Sequence, residues 1–336
     1  MGAVHHQRKR ADTTDGTVAI HEWRAGSGLV RHHRIDVLER LVADPEARLW
    51  IDLDEASDAV LAQVGAALGL HELVIEDIAE RDQRAKVEYT DGTMHLVVFA
   101  LEYEDEVRPI EVDVVLGARF VLTSHPAGWD PIASFDIARQ GIAHYLAEGT
   151  DYLLYALLDP IVDGYFPVID RISDEIDRLE DEVVTVTSPD VLERLFRTRR
   201  SLLAIRHAVS PEREILNQLT NRENPLIDER RIVYFRDIYD HLIRVTDELD
   251  THRELVSGAL EAYLSTVNNG LSEVMKKLTA VTAVLAGIGA VAGIFGMSEA
   301  GAAFDLREGL GFWFVTSLVA VVGISVFLYF RRIRWI

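Results

Sequence analysis

Two uncharged stretches near the C-terminal end limit this chain more than any other feature. Leu278 to Met297 and Gly311 to Phe330 hold no Asp, Glu, Lys or Arg. At about 1.5 Å of rise per residue, a helical run of about twenty residues matches a hydrocarbon core of about 30 Å. Both read as transmembrane helices. Lys276 and Lys277 precede the first, and Arg331, Arg332 and Arg334 follow the second, whereas the connection between them carries Arg307 beside Glu299, Asp305 and Glu308. The positive-inside rule then places both chain ends in the cytoplasm, as in a multi-pass protein of the cytoplasmic (inner) cell membrane.

The remaining sequence divides by pattern. Residues 1–16 are polar and basic and lead into no apolar run, so they read as a disordered tail and not as a secretory signal. From Thr17 to about Ser124, short β-rich runs (TVAIHEW, RLWIDLD, TMHLVVFAL, PIEVDVVLG, ARFVLTSH) alternate with helical SDAVLAQVGAALGL and acidic VIEDIAERD, which predicts a cytoplasmic α/β domain over 17–130. Residues 131–277 read as a cytoplasmic helical and stalk region, followed by a membrane helix at 278–297, an extracytoplasmic loop at 298–310, a second membrane helix at 311–330 and a basic tail at 331–336. Between Tyr152 and Val184 one helix face carries Asp170, Asp174, Glu175, Asp177, Asp181 and Glu182; a solvated surface explains it. Apolar residues then recur every three or four positions at Tyr234, Ile238, Leu242, Val245 and Leu249, and again from Leu260 through Leu264, Val267, Leu271 and Val274 to Leu278. The phase survives Asn268-Asn269-Gly270, by local chemistry a turn signal. A single helix running from Tyr234 into the membrane is therefore expected.

Composition removes several functions. The net charge of −21 opposes nucleic-acid binding and suits cations as partners. Without cysteine there is no disulfide framework and no thiolate metal site. The chain holds no Walker A loop, nucleophile elbow, dinucleotide glycine motif or HExxH pair, so neither an enzyme nor an organic cofactor is expected. None of the twelve histidines has a histidine four residues away on a predicted helix, which argues against a histidine zinc site.

The first membrane helix has a stripe of small residues, Ala286, Gly289, Gly293 and Gly296. Close helix packing explains such a stripe. So does a ring of several copies around a narrow water column, where absent side chains leave backbone carbonyls facing the axis. Because two helices per chain cannot enclose a pore, conduction would require an oligomer.

Several blocks, in order, resemble the CorA family of magnesium and divalent-cation transporters over about Trp50 to Ile336. They are WIDLD (Trp50 to Asp54), LGLHELVIEDIAERDQRAKVE (Leu68 to Glu88), DYLLYALLD (Asp151 to Asp159), YFRDIYDH (Tyr234 to His241) and VMKKLTAVTA (Val274 to Ala283). The chain departs from the family where Gly296-Met297-Ser298 replaces Gly-Met-Asn. The resemblance implies an α+β membrane protein: an N-terminal α/β cytoplasmic domain, a long helical stalk and two C-terminal transmembrane helices in a funnel-shaped homopentamer. It implies passive transport of Mg2+, and of Co2+ besides, with Ser272, Thr282, Ala286, Gly289 and Gly293 on the pore face, Met275 and Leu278 as a hydrophobic gate, and Gly296, Met297 and Ser298 at the selectivity mouth. Intracellular Mg2+ would regulate it through Glu76, Asp77, Asp159 and Asp237 between neighbouring subunits. Glu299, Asp305 and Glu308 would attract cations at the outer face. A ring of Ser298 keeps a donor and an acceptor on a shorter stem than asparagine, giving a wider and less selective mouth. Two alternatives stand beside this reading: a transporter of zinc or another transition ion with the same fold, and a non-conducting membrane-anchored metal sensor.

Overall fold

The computed structural model describes residues 17–127, 129–130, 141–185, 188–221, 224–296, 310–332 and 335. Met297, Ser298, Glu299, Asp305 and Glu308 lie outside them, as does the tail at 1–16. The chain divides into two compact units, Met1–Leu179 with Glu193–Ser257, and Glu180–Leu192 with Gly258–Ile336.

The first unit is built on a seven-stranded sheet in the order β2-β1-β3-β7-β6-β5-β4. Its strands are β1 (Thr17–Arg24), β2 (Gly28–His32), β3 (Arg48–Asp54), β4 (Lys86–Thr90), β5 (Thr93–Tyr103), β6 (Val107–Leu116) and β7 (Phe120–His125). All neighbours run antiparallel except β3 and β7. Strand β3 shows why the sheet has helices on both sides. Leu49, Ile51 and Leu53 point into an apolar cluster with Leu38, Leu41, Leu61, Val64, Val74 and Ile78 from α1 (Leu38–Ala43), α2 (Asp58–Leu68) and α3 (Glu72–Glu80). On the opposite face Trp50 stacks on His21 with ring centroids 5.0 Å apart, and its indole N–H donates to Thr123 Oγ1 at 3.0 Å. On the same strand, Arg48 donates to the Leu146 carbonyl of α4 (Ile142–Glu148) at 2.8 Å. Removing one methyl from the first face, Ile51→Val, is expected to cost about 1 kcal/mol, readable as a small fall in the thermal midpoint of the purified chain.

The sheet's two edges went unread in the sequence. β2 and β4 are short and bury none of their residues fully, so neither shows the buried alternation that marks the inner strands. β4 is joined to β5 by a two-residue turn in which Asp91 and Gly92 have φ of 50° and 78°. Asp-Gly suits this position because both central residues of such a hairpin need positive φ.

Helix α3 is held at both ends. His71 Nδ1 accepts from the Leu73 N–H at 3.2 Å, and Arg81, in the left-handed region at φ 48°, donates to the His125 carbonyl at 2.9 Å.

Beyond α5 (Thr150–Asp163), α6 (Tyr165–Thr185) buries Val168, Ile169, Ile172, Ile176 and Leu179 and turns most of its acids to solvent. One exception is Glu175, paired with Arg194 of α7 (Pro189–Asn221) at 2.8 Å. Thr150–Thr185 is long and apolar enough to cross a membrane, yet 56% of its apolar window is buried inside the protein, which marks it as core.

Helix α8 is continuous from Ile232 to Gly296, 65 residues through Asn268-Asn269-Gly270, or about 97 Å at the usual rise. Phe235, not Tyr234, heads its buried stripe with Ile238, Leu242, Val245 and Leu249. From Gly258 onward the character changes. The apolar window of this helix is only 6% buried. The last helix, α9 (Leu310–Arg332), carries its only charges, Arg331 and Arg332, at the C-terminal end.

Candidate functional site

The candidate residues form three groups. The first lies where α5 meets α8. Aromatic packing sets their register: Tyr155 lies 5.0 Å from Tyr234 and 6.5 Å edge-on from Phe235 between ring centroids. One turn beyond each contact come Asp159 and Asp237, and a further turn brings Asp163 and His241, because residues four apart share a helix face. Ligand atoms of Asp159, Asp163 and His241 lie within 4.8 Å of one another, and His241 Nδ1 is 3.0 Å from Asp163 Oδ1. Burial pushes the Asp159 carboxyl up to about 6, and the charges of Asp163 and Asp237 push it the same way while His241 opposes them. The same burial, with Asp159 beside it, raises the Tyr155 hydroxyl. Crowded carboxylates of this kind gain from any cation that bridges them. Asp237 is exposed and forms no salt bridge among the described residues.

The second group lies under α3. Asp77 Oδ2 is 2.6 Å from Lys86 Nζ, which also lies 3.3 Å from Glu88 Oε2. Glu76 is exposed. Capping does not explain either acid, since His71 holds the N-cap and both residues sit a turn or more inside the helix. Asp77 and Asp237 thus belong to separate groups within one chain.

The third group lies along the C-terminal part of α8. Successive helical residues turn by about 100°, so Ser272, Met275, Leu278, Thr282, Ala286, Gly289 and Gly293 fall within about 120° of arc. All are exposed in the single chain. A Cβ added at Gly289 or Gly293 would meet nothing within 4 Å. The contact that α9 makes is elsewhere: a Cβ at Gly323 would lie 3.8 Å from Ile288 Cδ1, and Ile288 is about 140° around the helix from the middle of the small-residue arc. The two glycines therefore do not pack against α9. Flanking the arc is an exposed seam, Leu264, Val267, Leu271, Val274, Leu278, Val281 and Leu285, in alternating steps of three and four. Gly296 ends the helix.

The family model described as CorA-like Mg2+ transporter protein matches residues 46–332, nearly the whole chain. The chain belongs to the CorA family. Among relatives, the cobalt/magnesium transport protein CorA of Thermotoga maritima is 34% identical over 301 residues, covering 87% of this chain and 85% of that protein. The divalent cation transporter CmaX of Pseudomonas aeruginosa is 25% identical, covering 93% and 94%. Among solved structures, the complete CorA magnesium transporter of Methanocaldococcus jannaschii superposes with a TM-score of 0.76 at 22% identity, over 97% of this chain and all of the other. That likeness establishes the CorA fold from the N-terminal sheet to the long helix.

Asp163 and His241 were not singled out in the sequence. Their signal was present: Asp159/Asp163 and Asp237/His241 are both four apart on helices.

Proposed function

We propose that the chain forms a homopentameric pore in the cytoplasmic membrane that passes Mg2+, and Co2+ besides, without ATP and under the control of intracellular Mg2+. One observation carries this most: the long helix of a CorA family member presents an open face of small residues beside an exposed heptad seam. A seam in steps of three and four is the pattern by which helices pack around one another. Turned toward copies of itself, it would place Ser272, Thr282, Ala286, Gly289 and Gly293 on an axis, with Met275 and Leu278 able to close that axis by dewetting. Gly296, Met297 and Ser298 would form the outer mouth, and Glu299, Asp305 and Glu308 would draw cations to it. The spans are 278–297 and 311–330, with both termini cytoplasmic. No pore residue is ionisable, so an ion there keeps its inner water, which suits Mg2+ because it dehydrates reluctantly.

A divalent ion crossing about 100 mV gains roughly 4.6 kcal/mol, enough for an uphill ratio above about a thousand. Uptake on that scale has to be stopped. Glu76 and Asp77 on α3, with Asp159 and Asp237 at the α5–α8 junction, are the acids by which intracellular Mg2+ would do so, through its tighter binding to the closed arrangement.

The test is flux of Mg2+, Co2+ and Zn2+ into liposomes holding the purified protein, under an inside-negative potential. Mg2+ and Co2+ should enter without ATP, and Asp237→Ala should shift inhibition by internal Mg2+ several-fold toward higher concentration. Zinc flux alone would favour a transition-ion transporter. No flux of any ion from folded protein would leave a membrane-anchored sensor.

A further inference from the structure

The sheet face beneath α3 carries an arrangement that the pore does not need. His95 on β5 pairs across the sheet with Glu88 on β4, so their side chains emerge together on the face that α3 covers. A ring nitrogen of His95 and one carboxylate oxygen each of Asp77 and Glu88 lie within 4.8 Å of one another. His95 is 2% exposed, and its Nε2 is 2.8 Å from Asp113 Oδ1, with Asp113 itself 1% exposed. Its Nδ1 is buried and has no hydrogen-bond partner.

An imidazole that gives its N–H to a buried carboxylate presents a lone pair on the other nitrogen, and the carboxylate fixes the tautomer and the ring's orientation. Protein metal sites use this carboxylate–histidine pairing to orient a ligand. Between the two remaining acids sits Lys86 Nζ, 2.6 Å from Asp77 and 3.3 Å from Glu88, so a cation already bridges them. A dication in place of that ammonium would neutralise both carboxylates and also take up the His95 nitrogen that no hydrogen bond uses. Across a tetrahedral site neighbouring ligand atoms are about 3.3 Å apart, so a modest inward movement of the three side chains suffices. Glu88 is 49% exposed at the side chain and opens the way in from solvent, while Lys86 and Asp77 are half-buried.

We propose that Asp77, Glu88 and His95 form a binding site for a transition-metal dication of the Zn2+, Co2+ or Ni2+ type within a single chain, with Asp113 as the positioning residue and Lys86 as the cation it displaces. The imidazole decides the class: such ions favour nitrogen in the ligand set, whereas Mg2+ prefers carboxylate and water oxygen. An ion held here would take the Asp77 carboxylate that the proposed Mg2+ control also uses, so the two metals would compete for one group. Binding itself is independent of transport.

The test is equilibrium binding of Zn2+, and of Co2+ followed by its visible absorption, to the full-length chain in detergent with excess Mg2+ present. Glu88→Gln and His95→Gln should each remove one equivalent of Zn2+ per chain, leaving any bound at Asp159, Asp163 and His241. Asp113→Asn should weaken that equivalent by about 10–100-fold, and Lys86→Met should tighten it roughly tenfold or more by removing a like charge. Since Glu88 is at the surface, its variant keeps the test open even if His95→Gln fails to fold. Unchanged Zn2+ stoichiometry and affinity in folded Glu88→Gln, or Lys86→Met binding no tighter than the native chain, would overturn the site in favour of a structural ion pair.

Discussion

Replacing Gly289 with leucine is expected to abolish divalent-cation flux while leaving the fold of the single chain undisturbed. Two effects with different reach meet at this position. Within one chain the substitution is harmless: nothing lies within 4 Å of the added Cβ, and leucine in a helix interior is favoured over glycine by close to 1 kcal/mol. Around the axis of the proposed pentamer, five leucines would replace five bare backbone segments and fill the narrow water column with apolar bulk that a hydrated ion could not cross. A barrier only about 3 kcal/mol higher slows passage roughly a hundredfold. Liposome flux should therefore fall by at least that factor while helicity and thermal midpoint stay level or rise slightly. Gly323→Leu is the matched control, since a Cβ there lies in van der Waals contact with Ile288 Cδ1 at 3.8 Å and so adds its bulk between α9 and α8, away from the small-residue arc. Full flux through folded Gly289→Leu protein would remove that face from the ion path.

The parts of the fold that were readable in advance are those whose side chains carry a period. RLWIDLD alternates because Leu49, Ile51 and Leu53 enter one core while the other face of β3, Trp50 apart, is polar, and the α8 stripe from Ile238 to Leu249 repeats every three or four residues because one side of it is buried. The same logic explains what was missed. GLVRH and KVEYT are edge strands with little to bury, and a solvated strand leaves no hydrophobic signature. Yet Asp91-Gly92 was a local sign of the β4–β5 hairpin, and counting outward from that turn pairs Glu88 with His95. Searching for histidines four apart finds only helical sites. Both candidate metal groups escaped it, one joining Glu88 and His95 of paired strands to Asp77 of α3, the other joining Asp159 and Asp163 of α5 to His241 of α8. Asp77, Asp159 and Asp237 came from family resemblance, because a carboxylate on a helix surface has no spacing that separates a ligand from a solvated acid.

Glu212 supplies the other large effect, this time on stability. It stands in the apolar register of α7, between Val209 and Leu216 in a row with Leu202, Ile205 and Leu219, and is 1% exposed. Its Oε1 accepts from the Phe99 N–H at 2.6 Å, its Oε2 lies 2.6 Å from the Tyr165 hydroxyl, and that hydroxyl is also 2.5 Å from the Phe99 carbonyl. A hydroxyl has one hydrogen and cannot serve two acceptors. If Glu212 is protonated the conflict disappears: its O–H donates to the Tyr165 oxygen, the Tyr165 O–H donates to the Phe99 carbonyl, and the Phe99 N–H donates back to Glu212. Burial drives the carboxyl in the same direction, to about 8 from an ordinary 4.5. The folded state thus binds this proton more tightly than the unfolded state does. Its contribution is fully present below pH 4.5 and is lost progressively as pH rises toward 8, on the order of 5 kcal/mol across that window at about 1.36 kcal/mol per unit. Glu212→Gln keeps the neutral shape and a donor for Tyr165 while removing the titration. Thermal midpoints of the native chain should therefore fall from pH 5 to pH 8 relative to this variant, and the two curves should converge at the acid end. Parallel curves would mean that Glu212 keeps one protonation state throughout, and that the ring of three hydrogen bonds is not what holds α7 to β5.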